Sequence, residues 1–96
     1  MKAVLIVHNA AIDEEVNESL ASLGINCYTK FPNTLGAGEI SEPHLNTDVW
    51  PGINYGTFVV TEQAKAAAIM DKVRRMRGKL GTEGLKAFMW EIEDIT

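Results

Sequence analysis

A chain of 96 residues, 46% hydrophobic and 23% charged, can form one domain with a modest core and is too short for two. Its net charge of −4 argues against a nucleic-acid-binding domain, because such domains ordinarily carry a basic face. A single cysteine excludes an internal disulfide framework, so we expect a protein of the reducing cytoplasm.

The first half of the chain predicts a strand, a helix and a second strand. Residues 2–8 form an apolar run that is typical of a strand buried on both faces and is too short for a signal peptide. Asp13 is expected to cap a first helix, which Gly24 ends. Residues 25–31 alternate in polarity, and Pro32 after them indicates an edge strand. The apolar stripe of the helix comprises Ile12, Val16, Leu20 and Leu23.

The second half predicts a strand, a helix and a last strand after a long connection over residues 32–54. Residues 55–61 read as the third strand. Thr61 is expected to cap a second helix over residues 62–77, which Gly78 ends. Residues 85–92 read as the fourth strand.

The order strand, helix, strand, strand, helix, strand predicts an α+β, ferredoxin-like βαββαβ sandwich, a single domain over residues 1–96. Two helices cover only one face of its antiparallel four-stranded sheet, yet the first and last strands are apolar on both sides. We therefore expect the helix-free face to be buried between identical subunits. The apolar residues behind this expectation are Val4, Ile6, Phe88, Trp90 and Ile92.

Three functions that this fold supports are excluded by the residues present. An RNA-recognition module needs paired aromatic residues on its central strands, and the first strand here has none. A soft-metal carrier would have Cys-x-x-Cys after that strand, where this chain has His8-Asn-Ala-Ala. An acylphosphatase-like enzyme would need a glycine-rich cradle with an arginine at the same place.

The long connection is the segment most indicative of function. Connections of this length without secondary structure are uncommon in small domains and are usually functional or disordered. Its His44, Asp48 and Trp50, the last followed by Pro51-Gly52, are not typical of a disordered spacer, and we predict that they bind a partner. His44 and Asp48 are also weak candidates for a metal site, although their spacing is not a recognised ligand pattern.

A second motif is the glycine-rich turn before the last strand, Gly78-Lys-Leu-Gly81-Thr-Glu-Gly84-Leu-Lys86. With the strand order and the long connection, it resembles the P-II (nitrogen-regulatory) signal-transduction superfamily, over nearly the whole chain. The resemblance implies that Gly81, Gly84 and Lys86 hold the phosphates of a nucleotide and that Gly36 and Gly38 let the long connection fold against it. The alternative is that these glycines are ordinary turn residues.

The resemblance also implies a homotrimer that regulates a transporter or enzyme partner. The chain departs from the family pattern because no Lys or Arg lies between Phe31 and Ala64 and no tyrosine lies within the long connection, so it would be a short, diverged member. We therefore expect a non-enzymatic regulator that senses an adenine nucleotide or another anion, with no nucleic-acid partner and no membrane insertion. The alternative is a divalent-metal-binding or metal-tolerance protein of CutA-like trimeric architecture. The sequence identifies no cofactor.

Overall fold

One four-stranded antiparallel sheet with two helices accounts for residues 1–34, 53–80 and 84–96, the part of the chain that the computed structural model describes. The strand order is β2-β3-β1-β4, and every neighbouring pair is antiparallel. The predicted ferredoxin-like α+β fold is therefore confirmed. In chain order the elements are β1 (Lys2–Asn9), a 3-10 turn (Ala10–Ile12), α1 (Asp13–Ser22), β2 (Thr29–Thr34), β3 (Asn54–Thr61), α2 (Gln63–Leu80) and β4 (Leu85–Glu91).

The covered face of the sheet, which packs against α1 and α2, carries the hydrophobic core. Side chains alternate between faces along a strand, so the register decides which residues share a face. Val4 lies opposite Val59 of β3 and Met89 of β4, and Ile6 lies opposite Thr57 and Ala87. The buried core cluster comprises Val4, Ile6, Val16, Leu20, Ile25, Val59, Ala66, Ile69, Val73 and Leu85.

The open face of the sheet carries large apolar side chains that no described part of the chain covers. Phe31 is 49% exposed, Phe88 48% and Trp90 43%. The register places Leu5 opposite both Phe58 and Phe88, and the Phe58 and Trp90 rings lie 6.1 Å apart. The prediction that Val4 and Ile6 share the helix-free face with Phe88 and Trp90 is therefore wrong, because the register places the first two on the covered face.

The helix boundaries differ from the predicted ones at three points. Asp13 is the first residue of α1 and not its cap; the Asn9 side chain before it accepts a hydrogen bond from the Ala11 N–H at 2.8 Å. Thr61 belongs to β3, and α2 continues through Gly78 to Leu80. A glycine inside a helix costs only about 1 kcal/mol, which the packing of a long helix offsets. The predicted end of α1 at Gly24 is confirmed by its φ of 75°.

β2 begins and ends later than predicted and includes Pro32. Its pairing with β3 runs from Thr29–Phe58 to Phe31–Gly56, and it resumes at Thr34–Asn54 after an irregularity. Proline is tolerated on an edge strand at such a bulge because no ladder hydrogen bond is required from it there. Ile25 precedes the strand yet is buried in the core.

Within the described residues, no helix is long and apolar enough to cross a membrane.

Candidate functional site

The end of β1 is the place where the described flanks of both undescribed segments meet. The Asn9 N–H donates to the Gly84 carbonyl at 2.7 Å, and the Ala10 N–H donates to the Ile53 carbonyl at 2.6 Å. Gly84 follows residues 81–83, and Ile53 follows residues 35–52. We call this pair of hydrogen bonds the Asn9–Ala10 junction.

The other flank of the long connection reaches the same end of the sheet. Thr34, the last residue of β2, lies opposite Asn54, and its hydroxyl donates to the Asn54 carbonyl at 2.9 Å. Asn54 in turn lies opposite Asn9. Thr34 and Ile53, which precede and follow residues 35–52 in the chain, therefore both lie beside the junction.

Gly84 has a local structural reason to be glycine. Its φ of 74° lies in the left-handed region, where a side chain is strained. A Cβ built on it would lie 3.3 Å from the Asn9 Cβ, which is tighter than ordinary van der Waals contact. The close approach of the two backbones at the junction thus depends on the missing side chain.

The predicted ligand-binding residues fall into two groups. Gly84 lies at the junction, and Lys86, two residues further along β4, is exposed and lies opposite Val7, on the open face of the sheet. Gly36, Gly38 and Gly81 lie outside the described residues. Their convergence on one ligand stays a prediction.

The predicted partner-binding residues, His44, Asp48 and Trp50, also lie outside the described residues. The same holds for the metal candidates His44 and Asp48. Within residues 1–34, 53–80 and 84–96, no group of three or more His, Cys, Asp or Glu side chains could hold a metal ion. The described part of the chain therefore lends no support to the metal-binding alternative.

A polar network lies on the covered face directly beneath the junction. His8 and Thr57 are both completely buried, and the His8 Nε2 lies 2.8 Å from the Thr57 Oγ1. The Lys30 ammonium donates to the Thr57 Oγ1 and to the Asp13 Oδ1, each at 2.7 Å. We call these four side chains, contributed by β1, β3, β2 and α1, the buried relay after its fully buried pair, His8 and Thr57; Lys30 and Asp13 keep 22% and 25% of their side-chain surface exposed.

The hydrogen bonds of the relay have a defined direction. The His8 Nδ1 lies 3.2 Å from the Asn9 carbonyl oxygen, which can only accept, so Nδ1 carries the proton. The Nε2 of the neutral ring is then an acceptor. Because Lys30 can only donate, the Thr57 hydroxyl accepts from Lys30 and donates to Nε2. Each bond thereby supports the next, from Lys30 to the Asn9 carbonyl.

The surroundings of His8 favour its neutral form. Burial lowers the pKa of His8 from its ordinary value of 6.5, and the positive charge of Lys30 lowers it further. The hydrogen bond to the Asn9 carbonyl and the negative charge of Asp13, whose Oδ1 is 3.6 Å from Nε2, act in the opposite direction. The net effect is a lowered pKa.

The Thr57–His8 pair resembles a hydroxyl nucleophile beside its base, but its burial speaks against that role. Both side chains have no exposed surface, so a substrate has no path to the Thr57 hydroxyl. The hydroxyl is moreover held as an acceptor by Lys30. The geometry suits a structural hydrogen-bond network better than catalysis.

Sequence reasoning places His8 only at the end of the first strand and misses its hydrogen-bond partners. Lys30 falls on the polar side of the predicted edge strand, where lysine ordinarily faces solvent, and Asp13 is predicted as a helix cap. Thr57 reads as an ordinary strand residue. One feature of the sequence could have drawn attention to Lys30. No other Lys or Arg lies between it and Lys65, so it is the lysine nearest to the long connection along the chain.

Solved structures similar to this fold include PII-like proteins. CPII from Thiomonas intermedia K12, bound to ADP and bicarbonate, aligns with a TM-score of 0.77 and 14% identity, covering 95% of this chain and 84% of CPII. A PII-like signalling protein from Thermus thermophilus aligns with a TM-score of 0.65 and 22% identity, covering 95% of this chain and 85% of that protein. The resemblance to PII proteins expected from the sequence is therefore confirmed at the level of the fold.

No protein-family model matches the sequence, and neither does any curated protein.

Proposed function

We propose that the protein is a non-enzymatic PII-like signalling protein. It binds a small anionic ligand, in the first instance an adenine nucleotide, beside the Asn9–Ala10 junction. It regulates a partner transporter or enzyme through residues 35–52. We further propose that it acts in the cytoplasm, where the exposed free thiol of Cys27 would stay reduced.

The observation that carries the proposal is the convergence at the junction. Backbone hydrogen bonds from Asn9 and Ala10 hold Gly84 and Ile53, the residues that follow the glycine turn and the long connection. Along the chain, Gly36 and Gly38 come shortly after Thr34, and Gly81 comes shortly before Gly84. CPII, which shares this fold, has been solved with ADP, AMP and bicarbonate.

The chemistry of the ligand site would come from backbone N–H groups and one cation. Glycine turns let backbone N–H groups approach an anion closely, and Lys86 would add a positive charge from β4. No step of this mechanism needs a nucleophile. The burial of His8 and Thr57 supports the same conclusion, since the nucleophile-like pair is closed to solvent.

We propose a homotrimer that buries the open face of the sheet between subunits. This proposal is supported by the large exposed fractions of Phe31, Phe88 and Trp90, which soluble monomers generally avoid as a contiguous patch. Light scattering during size-exclusion chromatography should give three times the 10.6 kDa chain mass. A clean monomer at micromolar concentration would contradict the trimer.

Calorimetric titration with ADP, AMP and bicarbonate, each with and without Mg²⁺, tests the ligand. We expect heat and thermal stabilisation from ADP. Stabilisation by bicarbonate alone would restrict the ligand to a small anion. No heat and no stabilisation by any of the three at millimolar concentration would leave the glycines as turn residues only.

Two lysine variants locate the bound anion. Lys86→Gln should weaken ADP binding about tenfold or more, because a hydrogen bond to a charged group contributes roughly 1.5–3 kcal/mol. Lys65→Gln is the matched control, since it removes the same charge from the opposite end of the molecule, in the first turn of α2. Equal weakening by both variants would indicate non-specific attraction and not a site.

Excision of residues 38–48, closed by a short turn, tests the role of the long connection. Folding and assembly should be unchanged because surface connections contribute little to the core. Binding of a regulated partner should be lost. If the shortened protein fails to assemble, the connection is a structural part of the oligomer and the regulator proposal loses its main support.

A further inference from the structure

The buried relay brackets the segment that forms the junction. His8 immediately precedes Asn9, and Asp13 begins α1 immediately after the 3-10 turn. At one end of this short segment the His8 side chain bonds Thr57, and at the other end the Asp13 side chain accepts from Lys30, which also donates to Thr57. The two ends of the segment are therefore linked to each other through neighbouring strands.

We propose that the buried relay is a proton-responsive clamp: uptake of a proton by His8 loosens the Asn9–Ala10 junction and so weakens its hold on Ile53 and Gly84. The proposal concerns the flanks of the ligand site proposed above, but its first test needs no ligand.

Protonation would disrupt the relay at its centre. A proton on Nε2 turns that atom into a donor, so the Thr57 oxygen would have to accept from both Nε2 and Lys30. The Thr57 hydroxyl proton would then lose Nε2 as its acceptor. The imidazolium would also face the Lys30 ammonium across that one hydroxyl group. Two cations so close repel each other, the more so because His8 is fully buried.

Asp13 is the group that would respond. Its Oδ1 lies 2.7 Å from Lys30 and 3.6 Å from Nε2, so a charged His8 competes with Lys30 for the same oxygen. A shift of Asp13 toward His8 moves the first residue of α1 and with it the segment that carries Asn9 and Ala10. The ring itself is bonded to the Asn9 carbonyl, so displacement of the ring moves the junction from its other end.

Within residues 1–34, 53–80 and 84–96, the groups that face His8 include members of β2, β3, β4 and α1. Lys30 of β2 and Asp13 of α1 are the charged groups that act on it, and they act in opposite directions. Tyr55 of β3 is a titratable neighbour with its ring 6.1 Å from the imidazole, and Leu85 of β4 lies opposite His8. Burial and Lys30 together keep the pKa of His8 below its ordinary value, so the clamp is closed at neutral pH and opens on acidification.

Nuclear magnetic resonance of the whole protein without ligand tests the clamp. The imidazole nitrogens report the tautomer, and a His44→Gln variant identifies the His8 signals because the chain has two histidines. We expect the Nδ1–H tautomer at neutral pH. The Nε2–H tautomer would overturn the proposal, and so would a His8 that does not titrate before the protein unfolds in acid.

Hydrogen exchange then measures the junction. The protection factors of the Asn9 and Ala10 amides should fall severalfold as His8 titrates, whereas that of Ala66, bonded to the Glu62 carbonyl in α2, should not. Parallel changes at all three amides would indicate general acid destabilisation and overturn the proposal. Constant protection at Asn9 and Ala10 would overturn it as well.

Variants that remove the two charges near His8 should shift the midpoint of its titration in opposite directions. Lys30→Gln should raise the midpoint of the His8 titration and Asp13→Asn should lower it, because they remove charges of opposite sign. Asp71→Asn, the same change at an exposed site on α2, should leave it unchanged. Shifts in the same direction for Lys30→Gln and Asp13→Asn would contradict the relay.

A final arm separates the clamp from the proposed ligand. If ADP binds, its affinity should fall over the pH range in which His8 becomes protonated, and His8→Gln should remove that dependence. Absence of ADP binding refutes the nucleotide as the ligand, while the exchange experiment still decides the clamp. An ADP affinity that is equally pH-dependent in His8→Gln would show that the clamp does not control the site.

Discussion

The two faces of the sheet are similar in apolar content and very different in burial. On the covered face Val4 and Ile6 are almost completely buried, and the polar side chains of His8 and Thr57 are buried among them. On the open face Phe88 and Trp90 are nearly half exposed. The covered face is completed by the two helices, whereas no described part of the chain covers the open face, which the proposed trimer would bury.

A charged residue introduced on the open face is the strongest test of the different roles of the two faces. Trp90→Asp should abolish assembly, because an unpaired carboxylate buried in an interface costs about 3–5 kcal/mol. Light scattering gives the mass of the particle, and circular dichroism shows whether the chain stays folded. Met89→Asp is the matched control, since it places the same charge one residue away, on the other side of the strand at an exposed position. Assembly that survives Trp90→Asp would refute an interface on the open face.

A cavity on the covered face should lower the stability of the fold without affecting assembly. Ile69→Ala, at a buried position of α2, should lower the free energy of unfolding by about 2–5 kcal/mol and leave the mass of the folded particle unchanged. Urea unfolding at a fixed protomer concentration measures it. Ile95→Ala, at an exposed position, should change stability by less than about 0.5 kcal/mol. Equal effects at the two positions would contradict the assigned core.

Alanine substitutions at two glycines should change stability in opposite directions, because the backbone conformations at the two positions differ. Gly84→Ala should destabilise by about 1–2 kcal/mol because its φ is positive and the Asn9 Cβ is close. Gly78→Ala should instead stabilise by about 0.5–1 kcal/mol, since the residue lies inside α2 with open space around it. Thermal unfolding of the two variants gives both signs. A Gly84→Ala variant as stable as the parent would remove the structural reason for this glycine.

The smallest effect we expect is the contribution of His8 to the pH dependence of the free energy of unfolding. Its pKa is lowered in the folded state, so below the unfolded value of 6.5 the unfolded chain binds more protons. Stability should therefore fall as the pH is lowered through 6.5 and stop falling below the folded pKa. Urea midpoints measured across this pH range for the parent protein and for His8→Gln test the direction of this change. If stability falls with pH as steeply in His8→Gln as in the parent, His8 is not its cause.

The fold was predictable from sequence because its signals are local. The apolar run of β1, the stripe of α1 and the glycine turn before β4 each depend on neighbouring residues, and they determine the element order. The assignment of faces was not predictable in the same way. A strand that is apolar on both sides carries no mark of which side the helices will cover, and only the register against β3 and β4 places Leu5, not Val4, beside Phe88.

The candidate site also contains features with a local sequence signal and features without one. Gly84 was identifiable as a turn residue, and its positive φ agrees with the predicted turn, whereas its contact with a ligand stays a prediction. The buried relay was not identifiable, because Lys30 bonds to Asp13 and Thr57, which are distant from it along the chain. No local pattern distinguishes a lysine that turns inward on an edge strand from one that faces water.

Pro32 has a consequence for the kind of particle that this chain can build. It interrupts the free edge of β2 with a residue that has no N–H, and the positive φ of the adjacent Asn33 bends the backbone there. Strands of a second molecule would find no continuous ladder to extend along that edge. Growth by edge pairing gives open-ended fibres, whereas burial of faces around a rotation axis closes on itself. The proline thus favours a finite assembly over an unlimited one.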